Sequence, residues 1–286
     1  MAIHEQNYVR YEGVLRTDRA AWTIARASLR TYWGLTRTKI VLLILWLMPL
    51  LFIIGVFGEY ALTNSSVGQL TDSVKSAPGA GPVTWFIQLS MISLALLLMS
   101  SGCGVISDDL RYKTFQLYFS KPISRLQYGI GKFLGLFALG SLITIVPGFM
   151  IGALRVVFAM RTDFGEVIAK QVGIGMLLLT CATALFCIIV MGISALTEHT
   201  RYVVLSWLGL LIVPSLLNSI ISLASEQNPA SDLVSITGNI WLVSQITLMD
   251  QSYDFPVVAP FIILLAVCGL GAASLARRIS RLEGVA

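Results

Sequence analysis

Few residues in this chain have the type and spacing needed to do chemistry on a substrate. There are two histidines, His4 and His199, too few for a histidine-based metal site. No H-E-x-x-H pair and no G-x-S-x-G elbow is present. Gly131-Lys132 lacks both the upstream glycine and the following hydroxyl of a phosphate loop, so nucleotide hydrolysis is not expected here. No catalytic residue, metal ligand or cofactor site is expected in this chain. The patterned residues lie instead in segment 107–132, SDDLRYKTFQLYFSKPISRLQYGIGK, where aromatic and cationic side chains interleave. Leu110, Phe115, Leu117, Tyr118 and Phe119 are too apolar for a solvated loop, while Arg111, Lys113 and Lys121 oppose burial in lipid. A short helix of this kind suits a partner's groove or a lipid interface. Asp108 and Asp109 precede it and Pro122 stops it. Ser124 with Gln127 three residues later reads as a capping box that starts the next helix.

The elements that position this segment are apolar. Charge-free stretches run at about 40–58, 83–107, 133–154, 171–197, 202–225 and 255–276, each long enough as a helix to reach across a hydrocarbon core of ~30 Å. They lack the alternation of barrel strands, and only helices or closed barrels satisfy their backbone in lipid. A hydrophobic fraction of 56% and a mean hydropathy of +0.80 exclude an ordinary soluble domain. The expected fold is all-α: a polytopic membrane protein with six transmembrane helices. It divides into an N-terminal segment (1–39), a transmembrane domain (40–276, with an outer loop at 225–256) and a tail (277–286).

Sixteen of the twenty Lys/Arg fall in 1–39, 107–132, 197–202 and the tail, and four (Lys75, Arg155, Arg161, Lys170) on the opposite face. The positive-inside rule then predicts cytoplasmic termini in a plasma (bacterial inner) membrane. The net charge of +5 is thereby accounted for by topology and acidic lipid, without nucleic acid. The polar, Arg-rich 39 residues before the first apolar run predict a retained span rather than a cleaved signal. Cys103, Cys181, Cys187 and Cys268 all fall in spans and read as packing residues.

Within 17–38, Arg19, Arg26, Arg30 and Arg37 share one helical stripe, with Trp22, Ala25, Leu29, Tyr32 and Trp33 on the opposite arc. That pattern predicts an interfacial elbow helix. The span interiors read as free of ionisable residues, which weakens an ion-coupled carrier. Hydroxyls such as Ser100, Thr180 and Thr183 read as interhelical partners. Asn218, then Ser93 and Thr144, are the candidates to line a pathway. Pro49, Pro147, Pro214 and Pro260 predict kinks, and Gly131/Gly135 and Gly148/Gly152 predict close helix crossings. Loop 225–256 carries Glu226, Asp232, Asp250 and Asp254 and no base. A short helix at about 233–248 is expected to cap the outer surface, dipping Trp241, Leu242 and Ile246 into the leaflet.

Ser120-Lys121-Pro122-Ile123-Ser124-Arg125, followed by Gly131-Lys132, resembles the signature loop of type-2 ABC exporter permeases, and the elbow-plus-six-span layout resembles that family as a whole. Lys113 departs from the pattern, since many relatives carry Gly before the Thr that is Thr114 here. The resemblance implies two permease subunits, alike or different, above two separate ABC ATPase subunits that bind ATP and Mg. It also implies a cytoplasmic coupling helix formed by Asp109, Arg111, Tyr112, Lys113, Thr114, Phe115, Leu117, Tyr118 and Phe119, with Trp22, Arg26, Arg30 and Trp33 as the elbow surface. The other readings are an ABC-linked mechanotransmission or assembly subunit that passes no substrate, and an ATPase-independent carrier or channel.

Overall fold

Apolar runs without β-alternation leave the backbone one way to satisfy itself, and the described residues form helices and no strand. The computed structural model describes residues 20–63, 81–114, 123–159, 165–224, 228–251, 253 and 255–282. Phe115, Leu117, Tyr118 and Phe119, and with them most of the expected docking helix, lie outside the described residues. The helices are α1 (Ala20–Gly34), α2 (Thr36–Leu45), α3 (Leu47–Thr63), α4 (Gly81–Leu97), α5 (Gly104–Arg111), α6 (Arg125–Ser141), α7 (Ile145–Ala159), α8 (Gly165–Ser194), α9 (Thr200–Ala224), α10 (Ile236–Met249) and α11 (Ala259–Leu282). Five stretches are long and apolar enough to cross a membrane: Thr36–Gly58, Pro82–Arg111, Gly165–Ser194, Thr200–Ala224 and Ala259–Ser280. The pair α6/α7, bent by 43°, makes a sixth if it is one span.

Proline sets two of the breaks. Pro49 cannot donate to the carbonyl of Leu45, and the first span turns at Trp46 before bonding resumes from Leu50 N–H to Trp46 O at 3.3 Å. Pro147 does the same to Ile143, and α6 gives way to α7 across 142–144. The third span, expected as one run at 133–154, is therefore longer and broken. Pro214 stays inside a continuous α9.

α8 is the axis of the bundle and touches α4, α5, α6, α7, α9, α10 and α11. Small residues let it and its neighbours close up. A Cβ added at Gly192 would stand 2.6 Å from Gly271 O of α11. One at Gly152 would stand 2.6 Å from the Val172 side chain, and one at Gly148 2.6 Å from that of Leu179. α1 and α6 cross as tightly: a Cβ at Gly131 would meet Ile24 Cβ at 2.7 Å and Ala21 O at 2.8 Å, and one at Gly135 would meet Ser28 Cβ at 2.9 Å. Both glycine pairs seen in the sequence thus serve close approach.

Three expectations need correction. First, helices outrun the charge-free stretches: Lys132 and Arg155 lie inside α6 and α7 and are buried, so buried bundle positions do hold cations. Lysine and arginine tolerate this because an apolar stem can lie in the bundle while the charged head reaches a partner. Second, α1 does not turn one whole arc to lipid. Ile24, Ala25, Ser28 and Tyr32 are buried, while Trp22 and Trp33 stay exposed. Third, the helix near 233–248 exists but Leu242 does not dip into a leaflet: α10 packs on α4, α8, α9 and α11, and Leu242 is buried in protein. Its start explains the fit. Ser235 accepts from Gly238 N–H at 2.9 Å, and Asn239 Nδ2 donates to Leu233 O and Ser235 O at 2.8 and 2.7 Å, so the turn entering α10 carries its own bonds into the bundle.

Candidate functional site

α5 is the end of the second span, and its last turns stay helical through Arg111 where the sequence alone suggests a loop from 107. Consecutive residues on a helix point ~100° apart, so Asp108 and Asp109 address different neighbours. Asp109 Oδ2 accepts from Lys132 Nζ at 2.6 Å and from Tyr128 Oη at 2.6 Å. Tyr128 and Lys132 are four apart on α6 and so share a face. Lys132 Nζ also donates to Val105 O at 3.2 Å. Asp108 Oδ1 accepts from Thr200 Oγ1 at 2.7 Å, where α9 begins, and Thr200 in turn meets Ser107 Oγ at 3.1 Å.

A fourth helix enters through Ser194, at the end of α8. Between α4 and α5 the span makes a π-turn over Leu98–Gly102, closed by Cys103 N–H to Leu98 O at 3.0 Å. Just beyond it, Ser194 Oγ accepts from Ile106 N–H and Ser107 N–H at 3.1 and 3.0 Å and donates to Cys103 O at 2.8 Å. A side chain from α8 therefore completes the backbone of α5. The acidic pair and this serine join α5, α6, α8 and α9 at the root of the 107–132 segment.

The turn leaving the root is equally defined. Lys113 N–H bonds Leu110 O at 3.3 Å and Thr114 N–H bonds Asp109 O at 3.1 Å, with Lys113 at φ 54°. This is a Schellman stop, which usually takes glycine at the left-handed position. The lysine keeps the turn that the family pattern assigns to Gly. Arg111 and Tyr112 are exposed beside it, Arg111 standing 5.5 Å from the Tyr112 ring centroid. The capping box at Ser124 is present: Gln127 N–H donates to Ser124 Oγ at 3.2 Å and Ser124 N–H to Gln127 Oε1 at 3.0 Å.

α6 carries this root on one face and the elbow on another, since Gly131 and Gly135 receive α1. Arg26 and Arg30 point away and are exposed. The structure thus brings Asp109, Thr114, the exposed Arg111–Lys113 turn and the elbow onto one basic end of the bundle. The importance of Tyr128, Lys132, Ser194 and Thr200 was missed. Lys132 had a signal, being the lone charge in an apolar run facing an acidic pair; two hydroxyls distant in sequence had none.

The lining candidates separate. Ser93 is buried and donates to Leu89 O at 3.3 Å. Thr144 is buried at the α6/α7 break, bonded to Gly140 O at 3.1 Å and to Thr183 Oγ1 at 2.9 Å. Both serve packing within the bundle. Asn218, on the largely uncovered α9, donates to Asp232 Oδ1 at 2.7 Å at the opposite end. Burial and the Asp232 carboxylate hold the phenol of nearby Tyr253 above its ordinary value.

The model for ABC-2 family transporter proteins matches residues 34–268, which takes in α2 to α10, the loop root among them, and the first part of α11. No curated protein matches the chain. Five candidate spans, with α6/α7 a sixth if it is one span, agree with that match, and the chain belongs to the ABC-2 transporter family, as a membrane permease subunit of an ABC transporter.

Proposed function

We propose that this permease is the membrane half of an ATP-driven exporter, and that segment 107–132 receives force from a separate ABC ATPase carrying the ATP and Mg. The observation that carries the reading is the root. A push on the loop reaches α5 through Asp109, α6 through Lys132 and Tyr128, α9 through Thr200 and α8 through Ser194, so one displacement moves four helices as a body. Phe115, Leu117 and Phe119 supply the apolar contact with the ATPase. Arg111 and Lys113 meet acidic residues there, and Arg26 and Arg30 of the elbow lie alongside. Both termini are cytoplasmic in the plasma membrane, the side to which the positive-inside rule assigns the basic end.

The pathway runs between two copies of the permease, or between this chain and a related one. Two cavities inside the bundle support this placement: one beside Arg155 holds about 30 Å³ and one beside Ser93 about 10 Å³, room for a water and no cargo. The same tightness favours the second reading, a subunit that transmits mechanical work and passes no substrate. Replacing Phe115, Leu117 and Phe119 together with Ala separates the possibilities at the first step. Loss of ATPase co-purification, with unchanged membrane insertion, is the expected outcome; undiminished co-purification removes the docking assignment and the coupling scheme with it.

A further inference from the structure

The first span carries a groove that the coupling scheme does not use. Pro49 interrupts the helical bonding at Trp46, between α2 and α3. The hollow along them, closed at one end by Trp33 of the elbow, has a volume of about 560 Å³. That is within the ~300–1,000 Å³ range of small-molecule sites. Leu43, Trp46, Leu47 and Leu50 line its length, and Lys39 is the one charged residue in its wall. Among the described residues the Lys39 ammonium makes no ion pair or hydrogen bond, its backbone N–H alone bonding Leu35 O at 3.3 Å. Residues 19–58 hold five bases and no acid, so the elbow and the first span bring no carboxylate of their own to the groove. The floor is fixed: buried Thr38 shares a hydrogen bond with Ser101 of the π-turn at 3.1 Å.

We propose that this groove binds one anionic phospholipid of the surrounding bilayer, with its phosphate on Lys39 and an acyl chain laid along Leu43, Leu47 and Leu50. Length supports the choice of occupant. From Lys39 to Leu50 the helix rises about 16 Å, close to the depth of one leaflet, half of the ~30 Å core. Chemistry supports it too. A groove with an apolar floor, a cation at its mouth and tryptophans at both levels matches a lipid from headgroup to chain. The inference rests on the membrane-spanning fold and on nothing in the coupling scheme.

The test uses the full chain, without any ATPase, in phosphatidylcholine vesicles containing brominated phosphatidylglycerol or brominated phosphatidylcholine. The signal is the part of the tryptophan quenching that Trp46→Phe removes. Half-quenching is expected at an about fivefold lower mole fraction of the anionic lipid, the factor for one lysine near anionic headgroups. Lys39→Gln removes that preference, Lys39→Arg keeps it, and Arg277→Gln, at the same end but outside the groove, leaves it unchanged. Equal quenching by the two lipids, or a preference that survives Lys39→Gln, overturns the proposal. Quenching by neither lipid also overturns it and assigns the groove to a second copy. Because no ATPase is present, failure here leaves the docking assignment untouched.

Discussion

At the basic end of the bundle the Asp108–Asp109 pair is bonded to α6 and α9, and Ser194 of α8 completes the backbone beside it. At the opposite end the amide oxygens of Gln88, Asn218, Asn239 and Gln245 are buried with no donor among the described residues. At the basic end one buried donor, Arg278 Nε–H, has no acceptor among the described residues. A buried acceptor without a donor costs about 1–3 kcal/mol, so the opposite end stands to gain from any rearrangement or neighbouring chain that supplies N–H or O–H groups. The basic end has already spent its polar groups on holding a single geometry. In the proposed coupling scheme, a tied basic end and unsatisfied acceptors at the other suit a body that is pushed at one end and re-pairs at the other.

The largest expected effect tests the stiff end. Lys132 and Asp109 are both nearly buried, so removing either partner strands a charge, at a cost of about 3–5 kcal/mol. Asp109→Ala and Lys132→Met should each show that loss by chemical denaturation in mixed micelles, and the double variant should recover much of it. Asn218→Ala at the other end removes one bond to a half-buried carboxylate, with about 1–2 kcal/mol expected. Equal losses at the two ends, or additive losses for Asp109 and Lys132, would erase the contrast.

Much of this architecture was legible in the sequence, because lipid imposes simple rules. Six apolar runs gave the spans, Pro49 and Pro147 gave breaks, and the Ser124–Gln127 box gave the start of α6. What escaped reading depends on partners far apart in the chain. Lys132 sits at the edge of an apolar run in the sequence, and only the fold sets Asp109 opposite it. Ser194 and Thr200 are ordinary hydroxyls whose role comes from their bonds to Cys103 and α5, about ninety residues earlier. α10 resembled a surface helix because its composition is moderately apolar, and only the packing of four other helices around it reveals burial. The docking aromatics, Phe115 to Phe119, remain an inference from sequence and family.

A middle-sized effect is expected where the elbow meets α6. Any side chain at Gly131 must displace Ile24 and the Ala21 carbonyl. Gly131→Leu should therefore cost about 1–3 kcal/mol of local packing and release α1, exposing the bonds after Arg26 and Arg30 to trypsin. Gly173 has open space around its Cβ position, and Gly173→Leu should stay within about 0.5 kcal/mol and leave the digestion pattern unchanged. If both variants digest alike, α1 is held by its lipid-facing tryptophans and not by α6.

The smallest effect compares the two ends through one backbone feature they share. Among the described residues, Lys113 and Asp250 are the non-glycine residues with positive φ, at 54° and 52°, and each follows a helix. A left-handed residue with a Cβ costs roughly 1–2 kcal/mol, less for aspartate, whose short side chain can bond locally. Glycine removes that cost but adds about 0.4–1 kcal/mol of unfolded-chain entropy. The balance favours Lys113→Gly by about 0.5–1 kcal/mol and leaves Asp250→Gly near zero. A melting series in detergent should thus rank Lys113→Gly above the parent and Asp250→Gly level with it. The reverse order would mean that the lysine at the loop root is held by contacts the Schellman geometry does not require, and that the stiffness of the basic end extends past Arg111 into the docking segment.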